Sequence, residues 1–356
     1  MKKLSICIPT YNRANFLRRL LDTCIKESAG IEEFVEVCIS DNGSTDETKK
    51  VLKTYANKSK IIKYKLNSEN KGFDSNLISV LSMAKGEYCW MLGDDDILME
   101  HAVKDIIEII DKNRPDFIIC EFSSNFNYKH IRWEGDSEIK NQVEIREVFL
   151  QKFSQLAFLS SNIIRRKIFL ELKKELPEEG EGFVHSLIQF YALKYIKKLY
   201  ITKKIEVFDT SEGIVPTKKT QIQIYFKLGK IINKLLDMNK ISITEHQSLL
   251  NKIYSFFFLR LIFYHFAIKD DGCNRKELTR MEREIYENFI RKTVNDGIKI
   301  RASFFIINNK FLLWLFRTGY LLIYVKLMNV FRKNKKQVAW EFWNKNKKLG
   351  GRRTYF

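Results

Sequence analysis

The chain has 356 residues, of which 45% are hydrophobic and 13% aromatic, enough apolar mass for a sizeable core and too much for a chain dominated by disorder. Its net charge of +19 is uneven: residues 1–120 carry 18 Lys plus Arg against 19 Asp plus Glu, whereas residues 326–356 carry 10 basic residues against the single acid Glu341. No run of about 18 charge-free apolar residues occurs, so no transmembrane span is expected.

The first segment, Leu4-Ser5-Ile6-Cys7-Ile8-Pro9, reads as a strand stopped by proline. Thr10-Tyr11-Asn12-Arg13 follows, and then a helical pattern through Phe16, Leu17, Leu20 and Leu21. The N-terminal Met1-Lys2-Lys3 leads into too brief an apolar run for a signal peptide. A second strand, Phe34 to Ser40, opens into the turn Asp41-Asn42-Gly43-Ser44-Thr45-Asp46, rich in helix initiators, and a helix through Val51, Leu52 and Tyr55. Ile61 to Leu66 is a third strand, and Asn70-Lys71-Gly72 leads into a helix ending near Lys85-Gly86. The fourth strand, Tyr88-Cys89-Trp90-Met91-Leu92, runs out at Gly93 into Asp94-Asp95-Asp96. A helix over Ala102 to Ile110 and a strand over Asp116 to Phe122 complete the series.

Strands alternating with helices predict an α/β fold with a mostly parallel central sheet flanked by helices. Ligands bind such sheets beyond the carboxyl ends of the strands. Residues Pro9 to Arg13, Asp41, the Lys71-Gly72 turn and Asp94 to Asp96 all fall there, so they are expected on one rim. Three adjacent carboxylates repel unless a cation meets them, and Mg²⁺ or Mn²⁺ takes oxygen ligands from one or two carboxylates plus substrate phosphates. Tyr11 can stack on a nucleobase, Asp41 can accept from base or ribose donors, and Arg13 and Lys71 suit phosphate. The alternative for the acidic triplet is a cap on a helix beginning near Met99. The six cysteines form no CxxC pair, and Cys7, Cys38, Cys89 and Cys120 fall in apolar strand-like runs, a usage that fits a reducing cytosol.

The ordered set Ser5-Ile6-Cys7-Ile8-Pro9-Thr10-Tyr11-Asn12-Arg13, Ser40-Asp41-Asn42-Gly43-Ser44-Thr45-Asp46, Asn70-Lys71-Gly72 and Leu92-Gly93-Asp94-Asp95-Asp96 resembles the nucleotide-sugar half of family 2 glycosyltransferases with the GT-A fold, most like the abequosyltransferase type of O-antigen assembly. The resemblance covers about the first 125 residues, and the section to about 210 resembles the acceptor half. It implies that Pro9, Tyr11, Arg13, Asp41, Lys71 and Asp94 contact a nucleotide diphosphate-sugar, with Asp94 at the ribose, and that Asp95, with Asp96 in reserve, ligates a divalent cation. The family's commoner motif has Asp where Gly93 stands.

In the acceptor half, Leu156 to Ile164 reads as a strand feeding Arg165-Arg166-Lys167, and Lys198 to Phe208 as a strand pair. Many resembling enzymes place a Glu-Asp pair, the general base, before a helix such as the one through Leu187, Ile188 and Tyr191. That pair is missing here, and His185 stands in its place, with Glu181 and Glu179 as competitors. Imidazole has a pKa suited to deprotonating a sugar hydroxyl. The other reading of His185 is a packing or capping residue.

A boundary is expected at Pro216, giving a GT-A domain over 1–216 (nucleotide-sugar half 1–125, acceptor half 126–216) and an α-helical region with a basic, aromatic tail over 217–356. Residues 302–331 mix aromatic and aliphatic residues with Lys310, Arg317 and Lys326, which suits a helix at an anionic membrane surface or the core of a helical bundle. The expected enzyme is a cytoplasmic transferase, peripheral on the inner face of the plasma membrane, acting on a lipid-linked saccharide acceptor and not on nucleic acid. The rivals are a nucleotidyltransferase, which would want a glycine-rich loop that Ile8 to Arg13 lacks, and a non-catalytic sugar- or membrane-binding scaffold.

Overall fold

The computed structural model describes residues 2–124, 137–176, 182–209, 218–250 and 253. Strand β1 (Leu4–Thr10) is buried at every position, and helix α1 (Ala14–Glu27) follows, burying Leu17, Leu20, Leu21 and Cys24 at helical spacing. β2 (Val35–Asp41) is again buried throughout, because helices cover both faces of a parallel sheet and leave no polar side to alternate. Next come α2 (Thr48–Lys58), β3 (Ile62–Leu66), α3 (Gly72–Met83), β4 (Tyr88–Met91), the short β5 (Ile97–Leu98), α4 (Ala102–Asn113) and β6 (Phe117–Ser124). The acceptor half supplies β7 (Ser137–Ile139), α5 (Gln142–Gln151), α6 (Phe153–Leu156), β8 (Asn162–Arg165), α7 (Arg166–Leu172), α8 (Val184–Ala192), β9 (Leu199–Asp209) and α9 (Lys218–Asp237).

Among the described residues these strands form one sheet in the order β3-β2-β1-β4-β8-β6-β9-β5, with β7 also on β9. The nucleotide half, β3-β2-β1-β4, is wholly parallel, as is β6 beside β9; β8 enters antiparallel between β4 and β6. The register sets Thr10 level with Asp41, which brings the loops after β1 and β2 to one edge. The core of this half is a continuous cluster that includes Leu4, Ile6, Ile8, Val37, Ile39, Trp90 and Ile106. Cys7 of β1 lies in register with Cys38 of β2, and its thiol donates to the Ser5 carbonyl at 3.6 Å. Cys7, Cys24, Cys38, Cys89 and Cys120 are buried thiols outside any disulfide, and burial pushes those of Cys7, Cys24 and Cys38 up.

Two expectations in the acceptor half need correction. Leu156 to Ile164 is not one strand: α6 ends at Leu156, a 3-10 turn spans Leu159–Ser161, and only Asn162 to Arg165 is extended. The Asn162 amide donates to the carbonyls of Leu156, Phe158 and Leu159, so the side chain satisfies the groups that a strand would have paired. Lys198 to Phe208 is not a pair but one strand, β9, whose register against β6 shifts around Glu121. There the Thr202 hydroxyl receives the Glu121 N–H at 2.9 Å and donates to the Lys204 carbonyl, bridging the irregularity in place of a turn.

Two compact units divide the chain, Met1–Phe257 with Asp270–Thr293, and Phe258–Lys269 with Val294–Phe356. Helix α9 therefore belongs to the unit that contains the sheet. It buries Leu228, Ile231, Ile232 and Leu235, and Arg146 of α5 forks onto Glu245 beyond it at 2.6 and 2.9 Å. The second unit, with the expected membrane-facing stretch 302–331 and the basic tail, lies outside the described residues, as do residues 210–217 around the expected boundary. No helix among the described residues is long and apolar enough to cross a membrane.

Candidate active site

The four sequence segments meet on one rim, joined by their own polar side chains. The Asn12 N–H donates to the Ser44 hydroxyl at 2.8 Å and the Asn12 carboxamide oxygen receives Thr45 N–H at 2.8 Å, so the loops after β1 and β2 hold each other. Asp46 accepts from Thr48 N–H at 3.0 Å and Ala14 N–H at 3.1 Å, one carboxylate starting both α2 and α1. Gly43 has φ +76°, and a Cβ there would meet the Glu69 backbone carbonyl carbon at 2.7 Å, so the turn after Asp41 admits only glycine. Asn42 then reaches the third segment: its amide donates to Asn70 Oδ1 at 2.7 Å and the Gly72 carbonyl, and its oxygen receives Lys71 N–H at 3.0 Å.

Asp41 sits at the centre of this rim and is wholly buried. Oδ1 accepts from the backbone N–H and the hydroxyl of Ser44, while Oδ2 is buried without a hydrogen-bond partner in the protein. A buried acceptor left unpaired costs about 1–3 kcal/mol, so such an atom marks a place where a ligand donor is wanted. Tyr11 is 41% exposed, Pro9 is buried beside Ser40, and the Lys71 side chain is exposed.

At the carboxylate turn, Asp94 Oδ2 accepts from the Thr10 hydroxyl at 2.7 Å, and Arg13 meets Asp95 Oδ2 at 2.7 Å and Asp94 Oδ1 at 3.7 Å. Burial pushes the Asp94 carboxyl up to about 7, against the opposing pull of Arg13 and Thr10. Burial would lower Arg13, but Asp94 and Asp95 outweigh it and hold the guanidinium charged. Asp96 turns inward, 3% exposed, onto the Ser160 hydroxyl. Ser160 is the anchor of the turn: its hydroxyl receives Gly93 N–H at 2.8 Å and its carbonyl receives the Trp90 indole N–H at 2.9 Å. A Cβ on Gly93 would stand 2.8 Å from Asp96 Oδ2, so this inward position requires glycine. The acidic triplet is not a helix cap, since β5 follows it and α4 starts at Ala102 behind His101.

A divalent cation fits this donor set. Asp95 offers a partly exposed hard-oxygen group, and a cation held there would oppose the protonation that burial favours in the adjacent Asp94. Among the described residues no cluster of three or more potential His, Cys, Asp or Glu ligands occurs, so phosphate and water oxygens would complete the shell.

His185 stands at the start of α8 and is 3% exposed. Its Nε2 lies 2.8 Å from the Ala157 carbonyl and must donate to it, which leaves the lone pair on Nδ1, a buried atom with no hydrogen-bond partner. Phe73, itself 38% exposed, meets the ring edge-on at 6.2 Å, and Phe183 lies at 5.6 Å. Glu179 and Glu181 lie outside the described residues. Burial lowers the His185 pKa below its ordinary 6.5, opposed by the Ala157 hydrogen bond and the charge of Asp74. The unfolded chain therefore takes up this proton first, so the associated stability is complete above pH 6.5 and is lost as pH falls below it. The urea midpoint of the wild type is expected to drop between pH values above and below 6.5 more than that of His185→Gln; equal drops would exclude His185 as the source.

Thr10, Asn42, Asp74, Asn76 and Ser160 complete the site without having been singled out in the sequence. Asn76 alone had a local signal, an amide inside a helical pattern; it ties the Thr10 and Ser40 carbonyls at the ends of β1 and β2.

This rim, a parallel sheet carrying a buried carboxylate with one unpartnered oxygen and an acidic turn with its arginine, is the architecture of a nucleotide-sugar enzyme of the GT-A type. The chain belongs to glycosyl transferase family 2, whose profile matches residues 5–172. A GalNAc(5)-diNAcBac-PP-undecaprenol beta-1,3-glucosyltransferase of Campylobacter jejuni is 30% identical over 256 residues, 67% of this chain and 77% of that one. The abequosyltransferase RfbV of Salmonella typhimurium is 29% identical over 199 residues, 52% of this chain, and the match spans 59% of that relative's length. Among solved structures, Staphylococcus aureus TarS residues 1–349 shares the fold at a TM-score of 0.59 and 18% identity, covering 83% of this chain and 82% of that one.

Proposed function

We propose that the protein transfers a sugar from a nucleotide diphosphate-sugar to a hydroxyl of a lipid-linked saccharide in surface-polysaccharide synthesis, with inversion at the anomeric carbon. The observation that carries the donor half is Asp41 Oδ2, a buried acceptor with no protein partner on the rim that also carries the exposed Tyr11. An imide or amine N–H of a nucleobase stacked on Tyr11 satisfies that oxygen. Asp94 then lies at the ribose, and Arg13 and Lys71 face the diphosphate, where negative charge grows as the bond to the sugar breaks. Asp95 would hold Mg²⁺ or Mn²⁺; Asp96 would reach the ion only by leaving Ser160. When bound, the ion adds positive charge at the leaving diphosphate. His185 Nδ1 takes the proton of the attacking hydroxyl, and a lowered pKa keeps that lone pair free at neutral pH.

The lipid-linked acceptor is supported by the undecaprenol-linked saccharide named in the Campylobacter relative's activity, and the basic aromatic tail supports a peripheral seat on the inner face of the plasma membrane. Flotation of the full chain with anionic but not neutral liposomes tests that seat; equal flotation with both removes it. The nucleotidyltransferase reading has no glycine-rich phosphate loop between Ile8 and Arg13 to rest on.

The donor assignment is tested with a panel of UDP-, GDP-, CDP- and dTDP-sugars plus Mn²⁺, read as thermal stabilisation. One nucleotide class is expected to stabilise the wild type, with Asp41→Ala binding it about 10–100-fold more weakly, the worth of a hydrogen bond to a charged acceptor. Unchanged donor affinity in Asp41→Ala would reject the base-binding role.

A further inference from the structure

Asp74 lies in the first turn of α3, but its carboxylate serves another helix. Oδ2 accepts from Gly182 N–H at 2.8 Å and Oδ1 from Val184 N–H at 3.0 Å, at the beginning of α8. Phe183, the residue flanking that helix, offers no side-chain cap. The opening amides of a helix have no partner within it, and a carboxylate there both pairs them and opposes the positive end of the helix dipole. α8 is therefore capped from a distant part of the chain, and the capped turn is the one that carries His185.

The other end of this connection is the donor rim. Asn42, next to Asp41, holds Asn70, the Lys71 amide and the Gly72 carbonyl, and Gly72 is the first residue of α3. Hydrogen bonds thus tie the second strand end to the 70–72 turn, the chain runs two residues on into α3, and the Asp74 carboxylate ties that first turn to α8. His185 meets the Ala157 carbonyl and the rings of Phe73 and Phe183, and the charge of Asp74 acts on the imidazole; the Lys227 ammonium of α9 stands beside Gly182.

We propose that Asp74 is a positioning residue of the transfer reaction: it fixes the first turn of α8, and with it His185, relative to the donor-binding 70–72 turn. The inference rests on His185 being the acceptor base. It assigns Asp74 no contact with either substrate. Its effect is on where the imidazole stands and on how readily it holds a proton.

The test compares full-length Asp74→Asn, Asp74→Ala and His185→Gln with the wild type. Amide hydrogen exchange over residues 182–188 reports the cap, NMR of ¹³Cε1-labelled histidine reports the His185 titration, and transfer is followed with Mn²⁺ and the nucleotide-sugar selected by the panel. Asp74→Asn is expected to speed exchange in the first turn of α8 about tenfold. It should also move the His185 titration, and the acid limb of the transfer rate, to lower pH, because a negative neighbour has gone. Asp74→Ala is expected to lower kcat about 10–100-fold with the donor KM unchanged, the signature of a displaced group that does not bind donor. Wild-type exchange and titration in Asp74→Asn, or a wild-type kcat in Asp74→Ala, overturns the proposal. Should Asp74→Ala fail to show donor-induced stabilisation, Asp74→Asn decides. His185→Gln with wild-type transfer removes the base, and the positioning role with it; an inactive His185→Gln beside a fully active Asp74→Ala removes Asp74 alone.

Discussion

Asp95→Asn is expected to lower kcat/KM about 10²–10³-fold, the scale seen when a group that stabilises developing charge is removed. The substitution keeps the shape of the side chain and its place on the rim, but replaces a carboxylate by a neutral amide at the point where a divalent ion would be held. It also releases Arg13, which in the wild type lies 2.7 Å from Asp95 and 3.7 Å from Asp94. In the variant the guanidinium keeps the longer, 3.7 Å contact with Asp94. The two changes separate in a Mn²⁺ titration: lost ligation moves the half-saturating concentration upward, whereas a displaced Arg13 lowers the rate even at saturating Mn²⁺. Folding stability should stay within about 0.5 kcal/mol, since the pair is partly exposed and surface pairs contribute little. Full metal-dependent activity in Asp95→Asn would overturn the assignment.

Trp90→Ala is expected to cost about 3–5 kcal/mol, read as a lowered urea midpoint. The side chain is wholly buried in the middle of the core cluster, so its removal leaves a cavity that the surrounding strands cannot close. The loss reaches the site as well. The Trp90 indole N–H holds the Ser160 carbonyl, and the same serine holds Gly93 and Asp96. Trp90→Phe keeps most of the volume while deleting the donor, at an expected cost nearer 1–3 kcal/mol for a buried carbonyl left unpaired. Its midpoint should therefore fall between those of wild type and Trp90→Ala, and its donor-induced stabilisation in Mn²⁺ should weaken because the turn has lost its anchor. A Trp90→Phe protein with wild-type midpoint and wild-type donor response would show that the indole bond does nothing for the turn.

The nucleotide half of the fold was legible because its signals are local. β1, β2 and β4 are short apolar-rich runs, each rim segment follows its strand closely, and the βα order dictates that the strand ends share an edge. Pro9, Tyr11, Arg13, Asp41 and Asp94 to Asp96 could be picked from the text of the sequence for that reason. What escaped are residues whose role exists only across long separations. Thr10 meets Asp94 84 positions away, Ser160 meets Asp96 64 away, and Asp74 meets Gly182 108 away. Such pairs leave no periodicity to read. The Leu156 to Ile164 run failed for another reason: its composition favours a strand, but Asn162 spends its amide on three carbonyls and bends the chain first. Gly93 was legible as a departure from the commoner motif, and its effect, an Asp96 folded inward, became visible only with the side chains in place.

The buried thiols of the sheet constrain the order of events when the chain is made. Cys7, Cys38 and Cys89 come from three strands that are neighbours only in the finished sheet, 31 and 51 positions apart in sequence. In the closed core all three are buried out of reach of oxidants, and burial pushes the thiols of Cys7 and Cys38 away from the thiolate form. In an open chain the same sulfurs are accessible and ionise normally, and any disulfide between them would cross-link strands before their register is set. A sheet built this way has to close before its sulfur meets an oxidant, and once closed it is indifferent to one.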